Sequence, residues 1–190
     1  MVRSSVFAIL FSVVMLGSCS SYGGDLDAIF TQLKDSGEDF RPQGSVCEQV
    51  ARLDLERKYS HPDYVVETGI SYGQNNQVVG ELDVVVFDSR SHAAVLIGEV
   101  KCWKKLGSAQ HKARQQRLRF QTVLAQHGFH FFSAKHPDQN YQDDQFQAST
   151  PFITISQKGG EINGFELTLD YDLDEMQALR QKILDYQNQK

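Results

Sequence analysis

Three ionisable side chains interrupt two apolar runs: Asp83 within Val78 to Asp88, and Glu99 and Lys101 at the end of Ala93 to Lys101. Both runs are rich in β-branched residues, and the Ser89-Arg90-Ser91-His92 stretch between them reads as an antiparallel hairpin connection. Residue numbers paired across such a hairpin sum to a constant. A turn centred near Arg90 or Ser91 therefore sets Asp83 opposite Gly98 or Glu99. Alternation along the strand puts Ile97, Glu99 and Lys101 on one face, where Asp83 can join them from the neighbouring strand. Two carboxylates buried there without a partner would cost on the order of several kcal/mol. A divalent cation removes that penalty, since Mg²⁺ takes one or two carboxylates, keeps several waters and leaves a position for a phosphate oxygen. Lys101 can orient or help deprotonate an attacking water and offset developing negative charge. The chemistry this implies is metal-assisted phosphodiester hydrolysis. An isolated Glu-x-Lys triplet on a strand is most often an exposed ion pair worth under about 1 kcal/mol. The matching aspartate, the glycine ahead of each acidic motif (Gly80, Gly98) and the apolar flanks set this one apart.

The elements that must position these groups alternate between helical and strand patterns. Leu26, Ile29, Phe30 and Leu33 space a short amphipathic helix over Asp25 to Ser36, packed on the domain. Val46, Val50 and Leu53 space a second helix over Gly44 to Tyr59. Tyr64 to Ile70 reads as the first strand, Gly73 to Gln77 as a turn, Ser108 to Gln126 as a long helix and "FHFFSA" as a strand. The polar stretch "HPDQNYQDDQFQAST" reads as a long mobile loop, a candidate gate over substrate. Phe152 to Ser156 and Phe165 to Leu169 read as a second hairpin around "KGGEING". Leu173 to Gln187 reads as a closing helix with Met176, Leu179, Ile183 and Leu184 on one side. The expected class is α/β, a central mixed β-sheet flanked by helices. There is no repeat and no sign of a second domain, and the six histidines have no zinc spacing.

"GELDVVV" with Asp83 and "IGEVK" with Glu99 and Lys101 resemble the motif of the PD-(D/E)xK, restriction-endonuclease-like nucleases, in the Holliday-junction-resolvase-like and RecB-like branch. The resemblance covers about residues 44 to 133. It implies that Asp83, Glu99 and the Val100 carbonyl bind Mg²⁺ or Mn²⁺, and that Glu48, on the helix before the strands, completes the acidic set. "HKARQQRLRFQTVL" is similar to the helix after the Glu-x-Lys strand, where the family carries a Gln-x-x-x-Tyr pattern. This nominates Gln116, with Gln115 as its neighbour and rival, and Phe120 stands where the family has tyrosine. The proline that names the motif is absent, Leu82 preceding Asp83.

At 190 residues the chain fits one domain. A net charge of −5 argues against a nucleic-acid binder on average, yet from Val100 to Pro137 there is no aspartate or glutamate. That segment holds Lys101 and Lys135 together with Lys104, Lys105, Lys112, Arg114, Arg117 and Arg119, the last six being candidate contacts to DNA phosphates. At the amino terminus, Arg3 and the apolar run "VFAILFSVVML" have the form of a signal peptide, too short for a mature membrane span. Leu16-Gly17-Ser18-Cys19 resembles a bacterial lipoprotein box, implying cleavage and a lipidated Cys19; ordinary cleavage nearby is the alternative. The expected division is 1–19 signal peptide, 20–43 spacer and short helix, and 44–190 nuclease domain. Location would be the periplasm or cell envelope, or outside the cell, with DNA as partner, the membrane through a lipid anchor, and a homodimer to cut two strands. Cys47 and Cys102 each adjoin a candidate catalytic residue; an oxidising compartment allows a disulfide between them, and two buried thiols are the other reading. Two rival functions share these features. One is a non-catalytic envelope lipoprotein that binds nucleic acid or a partner, the other an exported antibacterial toxin with the same chemistry.

Overall fold

The computed structural model describes residues 25–75, 77–126, 128–136 and 138–189. The signal-peptide and lipidation assignments, Cys19 included, lie outside these residues. Among the described residues, no helix is long and apolar enough to cross a membrane.

A mixed seven-stranded sheet is covered by helices on both faces. In chain order the elements are α1 (Leu26–Leu33), α2 (Ser45–Lys58), β1 (Tyr64–Gln74), β2 (Gln77–Asp88), β3 (Ala94–Val100), α3 (Leu106–Gln126), β4 (His130–Ser133), β5 (Asn140–Tyr141), β6 (Phe152–Ser156), β7 (Leu167–Thr168) and α4 (Leu173–Gln187). Across the sheet they run β5-β4-β1-β2-β3-β6-β7. β1, β2 and β3 form an antiparallel meander, and α3 precedes β6, which pairs parallel to β3.

Strand alternation divides the core in two. Val84, Val86, Leu96 and Val100 face a layer built from α1, α2 and α4, where Ile29, Leu33, Val50, Leu55, Met176 and Ile183 are buried. Val85, Phe87 and Ile97 face the other way, against Phe120 and Val123 of α3 and the aromatic residues Phe131 and Phe146. The segment read as spacer and short helix thus contributes to the main core: Ile29, Leu33 and Phe40 are all buried in it. α4 is fixed at its start by reciprocal capping between Asp172 and Glu175.

Two expectations are corrected. β6 and β7 are parallel, not a hairpin. The chain turns through a short 3-10 helix, Glu161–Asn163, leaves it at Gly164 with φ +81, and re-enters alongside β6 in the same direction. Glu166 N donates to Thr154 O at 3.0 Å and Leu169 N to Ser156 O at 2.8 Å. Alternation of side chains reports a strand and says nothing of its direction, so the sequence could not separate the two cases. The glutamine-rich stretch is likewise packed rather than an open loop. Tyr141 on β5 stacks on Phe87 with ring centroids 5.4 Å apart, and Phe146 stacks on Phe131 at 4.3 Å. Its two aromatic side chains outweigh the polar composition around them.

Cys47 of α2 and Cys102, just beyond β3, are joined in a disulfide. The bridge closes a loop of sequence separation 55, so its removal is expected to cost about 2 to 4 kcal/mol by releasing the unfolded chain. Urea unfolding of the Cys47→Ala/Cys102→Ala protein beside the oxidised wild type measures this. Equal midpoints would show that the bridge does not constrain the chain.

Candidate active site

The β2–β3 hairpin decides which side chains meet. Its turn is held by Asp88, whose Oδ1 accepts from Arg90 N at 3.1 Å and Ser91 N at 2.8 Å, with His92 at φ +59. Beyond the turn Phe87 pairs with Ala94, but Val86 pairs with Leu96 and Val84 with Gly98, a shift of one residue. Of the two registers open to the sequence, the shift selects the one that sets Asp83 across from Glu99. One inserted residue re-aims every side chain after it.

Glycine is required on both strands flanking the site. A Cβ at Gly98 would lie 2.6 Å from Val84 Cγ1 and 2.8 Å from Ile155 Cδ1, so only glycine lets β3 sit between β2 and β6 here. Gly69 on β1, opposite Asp83, has φ +68, a conformation that L side chains rarely adopt.

Five polar atoms converge as a result. Asp83 Oδ2 accepts from Val100 N at 2.7 Å and from Lys101 Nζ at 3.1 Å. Lys101 Nζ also donates to Val100 O at 3.0 Å and forms an ion pair with Glu99 Oε1. The ammonium is therefore held by two carboxylates and a backbone carbonyl. Glu99 is fully buried, and its Oε2 has no hydrogen-bond partner among the described residues. Asp83 is 7 % exposed.

The electrostatics follow from crowding of negative charge at low solvation. Burial pushes the Glu99 carboxyl up to about 8, the Asp83 charge adding to it and Lys101 opposing it. Glu48, on the first turn of α2, is raised to about 7 by burial and then by Asp83 and Glu81. Glu81, two residues before Asp83 on the same strand, is raised by partial burial and by Asp83. Burial lowers the Lys101 pKa, but Asp83 and Glu99 together raise it further, so Lys101 is an ammonium.

A second cation stands close by. Lys135, after β4, pairs with Glu38 at 2.6 Å and donates to Thr68 Oγ1 at 2.7 Å, and its charge opposes the shifts at Glu48 and Glu81. Thr68 Oγ1 also accepts from the buried Gln49 Nε2 at 3.1 Å. Glu81 and Thr68 were not foreseen from the sequence, although Glu81 had a signal in its period-two spacing from Asp83 in "GELD". Lys135 belongs to the basic segment, but its place beside the acidic cluster had no signal, because β4 returns it to β1 from far along the chain.

Asp83, Glu99, Val100 and Lys101 thus come together, and Glu48 lies within electrostatic range of Asp83 and Lys101. Gln116 lies on α3, its Oε1 buried without a hydrogen-bond partner among the described residues. Lys104, Lys105, Lys112, Arg114 and Arg119 are exposed. Arg117 is otherwise engaged: it donates to Glu166 Oε2 at 2.5 Å and lies over the Phe152 ring at 5.5 Å. Glu166 in turn accepts from Thr154 N and Oγ1. Arg117 thus braces the β6–β7 connection, where the sequence suggested a phosphate contact.

Among the described residues, no group of three or more histidine, cysteine, aspartate or glutamate side chains is placed to hold a metal ion. The donors around Lys101 Nζ nevertheless fit a hard cation. They are two carboxylates and a carbonyl, all oxygen, already gathered about one positive charge, with one buried carboxylate oxygen unsatisfied. Comparison with known proteins returns no matching family model, no matching curated protein and no matching solved structure.

Two consequences are measurable. In the unfolded chain Glu48 and Glu99 titrate near their ordinary value of 4.5. Between there and about pH 8 the folded protein holds more protons than the unfolded one, so stability falls as pH rises. Urea midpoints in EDTA should drop across that window, and Glu99→Gln should flatten the slope; a midpoint that climbs with pH would refute the shifts. Gly98→Ala should destabilise the protein by about 1 to 3 kcal/mol through overpacking against Val84 and Ile155. An unchanged midpoint would mean that β3 has room to move.

Proposed function

We propose that the protein is an exported, divalent-metal-dependent nuclease of the PD-(D/E)xK, restriction-endonuclease-like class that hydrolyses DNA phosphodiester bonds. The observation that carries this reading is the gathering of the Asp83 and Glu99 carboxylates and the Val100 carbonyl about Lys101 Nζ. The element order supports it: a helix bearing Glu48, a three-strand meander bearing Asp83 and Glu99, then a basic helix followed by β4, which pairs antiparallel to β1. A module that only binds DNA has no use for converging carboxylates, which repel phosphate.

Asp83, Glu99 and the Val100 carbonyl would hold Mg²⁺ or Mn²⁺, with Glu48 completing the set directly or through water. When bound, such a metal acidifies a water ligand and neutralises charge on a phosphate oxygen. With the metal on those three oxygens, Lys101 would turn to the reacting groups as a hydrogen-bond donor that orients the attacking water and offsets charge growing on the phosphate. Gln116 supports the site or a phosphate. Lys104, Lys105, Lys112, Arg114 and Arg119 track the backbone.

The Cys47–Cys102 bridge supports an oxidising location, in keeping with the signal-peptide form of residues 1–19 and a lipid anchor at Cys19. The substrate there is extracytoplasmic or foreign DNA.

The purified protein, incubated with closed-circular and linear plasmid in Mg²⁺, Mn²⁺ or EDTA, should cut only with metal. Asp83→Asn, Glu99→Gln and Lys101→Ala should each lower the rate by a factor of about 10² to 10⁴. Nicking of the circle identifies an endonuclease; loss of linear DNA alone, an exonuclease. Wild-type rates in any of the three variants would overturn the site, and absence of cleavage by the wild type would favour the binding lipoprotein.

A further inference from the structure

Beside the candidate active site lies a cleft of about 750 Å³ between the segment that follows β3 and the first turns of α2 and α4. It is not the carboxylate cluster; none of Asp83, Glu99 or Lys101 lines it. Its wall begins one residue further on, with Cys102, Trp103, Lys104 and Lys105, and is completed from α4 by Met176 and Arg180 among others.

The composition of this cleft is at odds with that of the chain. The protein carries a net charge of −5, yet among the described residues lining the cleft there are two lysines and an arginine and no carboxylate. Arg180 is held in place by donating to the Phe40 carbonyl at 2.8 Å and to the Arg41 carbonyl. Its charge is therefore positioned before any ligand arrives. Trp103, the sole tryptophan, is 39 % exposed. Lys112 Nζ lies 4.9 Å from its ring centroid, and its own carbonyl accepts from Gln157 Nε2 at 3.1 Å. The indole thus combines a fixed backbone with a partly exposed ring and a cation beside it.

We propose that this cleft binds an unpaired nucleotide of a single strand, its base stacked on Trp103 and its phosphates on Lys104 and Lys105, with Arg180 adding to the positive field. This deepens the nuclease reading and rests on it: the site would act on DNA with single-stranded character, a flap, loop or frayed end, in preference to a continuous duplex. An aromatic platform inside a positive groove is the usual solution for single strands because every base offers a π-face. Base pairs in a duplex are stacked on their neighbours and cannot reach an indole in a recess without being opened. Lys101 and Trp103 are two residues apart, so a nucleotide held at Trp103 brings the next phosphates towards Lys101.

The sole tryptophan is also the reporter. Oligothymidylate, oligouridylate and a blunt duplex of equal length are titrated into the purified, oxidised protein in EDTA, following Trp103 fluorescence. Saturable quenching by oligothymidylate, with much weaker quenching by the duplex, is expected; oligouridylate compares RNA. By anisotropy of a labelled oligothymidylate, Trp103→Ala should weaken binding about tenfold or more, while Trp103→Phe retains most of it. Lys104→Ala/Lys105→Ala should weaken binding and flatten its salt dependence. Absence of quenching by either single strand, or wild-type affinity in a folded Trp103→Ala protein, would overturn the proposal. Quenching without metal-dependent cleavage would leave the cleft standing and remove the nuclease; cleavage of plasmid without quenching would do the reverse.

Discussion

The structure turns on a buried charge imbalance. Asp83 and Glu99 sit across one strand pair with almost no access to solvent, and Glu48 and Glu81 add to the same field. Carboxylates so placed either hold protons or find a cation. Here one cation is internal: the Lys101 ammonium rests on three oxygens that a hard metal would also accept. Neutralisation is only partial, since one ammonium serves two buried carboxyl groups. A fully neutralised pair would be a structural ion bridge. An incompletely neutralised one in a buried acidic cluster is the arrangement expected of a group kept for reaction.

Holding that cluster together demands rigidity from the surrounding elements. The register shift in β2–β3 sets Asp83 against Glu99, Gly98 admits Val84 and Ile155, and the backbone N–H of Val100 bonds the Asp83 carboxylate. β6 then locks the far side of β3 through parallel pairing, with Lys101 N donating to Ile155 O at 2.9 Å. The disulfide ties α2, which carries Glu48, to the chain just past Lys101, so α2 and the end of β3 cannot drift apart independently. Each device acts within one or two residues of a charged group, which is where displacement would matter most.

Much of this was legible because it is local. Apolar alternation gave the strands, and the summed pairing of Asp83 with Glu99 followed from the turn to within one residue. The Leu173–Gln187 helix emerged from its spacing alone. What stayed hidden is non-local. The residue shift in β2–β3 belongs to the packing of the hairpin, and the parallel course of β7 depends on Glu166 reaching back to Thr154. Lys135 is brought to the acidic cluster by β4 pairing with β1, and Arg117 is claimed by Glu166 across 49 residues. No periodicity encodes such partners. The candidate site was read from the one stretch in which chemistry and local geometry coincide.

The loss of Arg117 to an internal ion pair sharpens the electrostatic argument. A net charge of −5 would repel a polyanion if it acted as a single charge at a distance. At physiological ionic strength, however, charges more than about 8 Å from a contact are largely screened. A nucleic acid bound as proposed would then meet the local surface: Lys104, Lys105, Lys112, Arg114 and Arg119, exposed on a segment without a single carboxylate. Five cations support a modest number of phosphate contacts, so affinity drawn from them alone would be weak and steeply salt-dependent. The recess proposed to take a base on Trp103 would add a contribution that salt does not screen, and Trp103 stands two residues from Lys101.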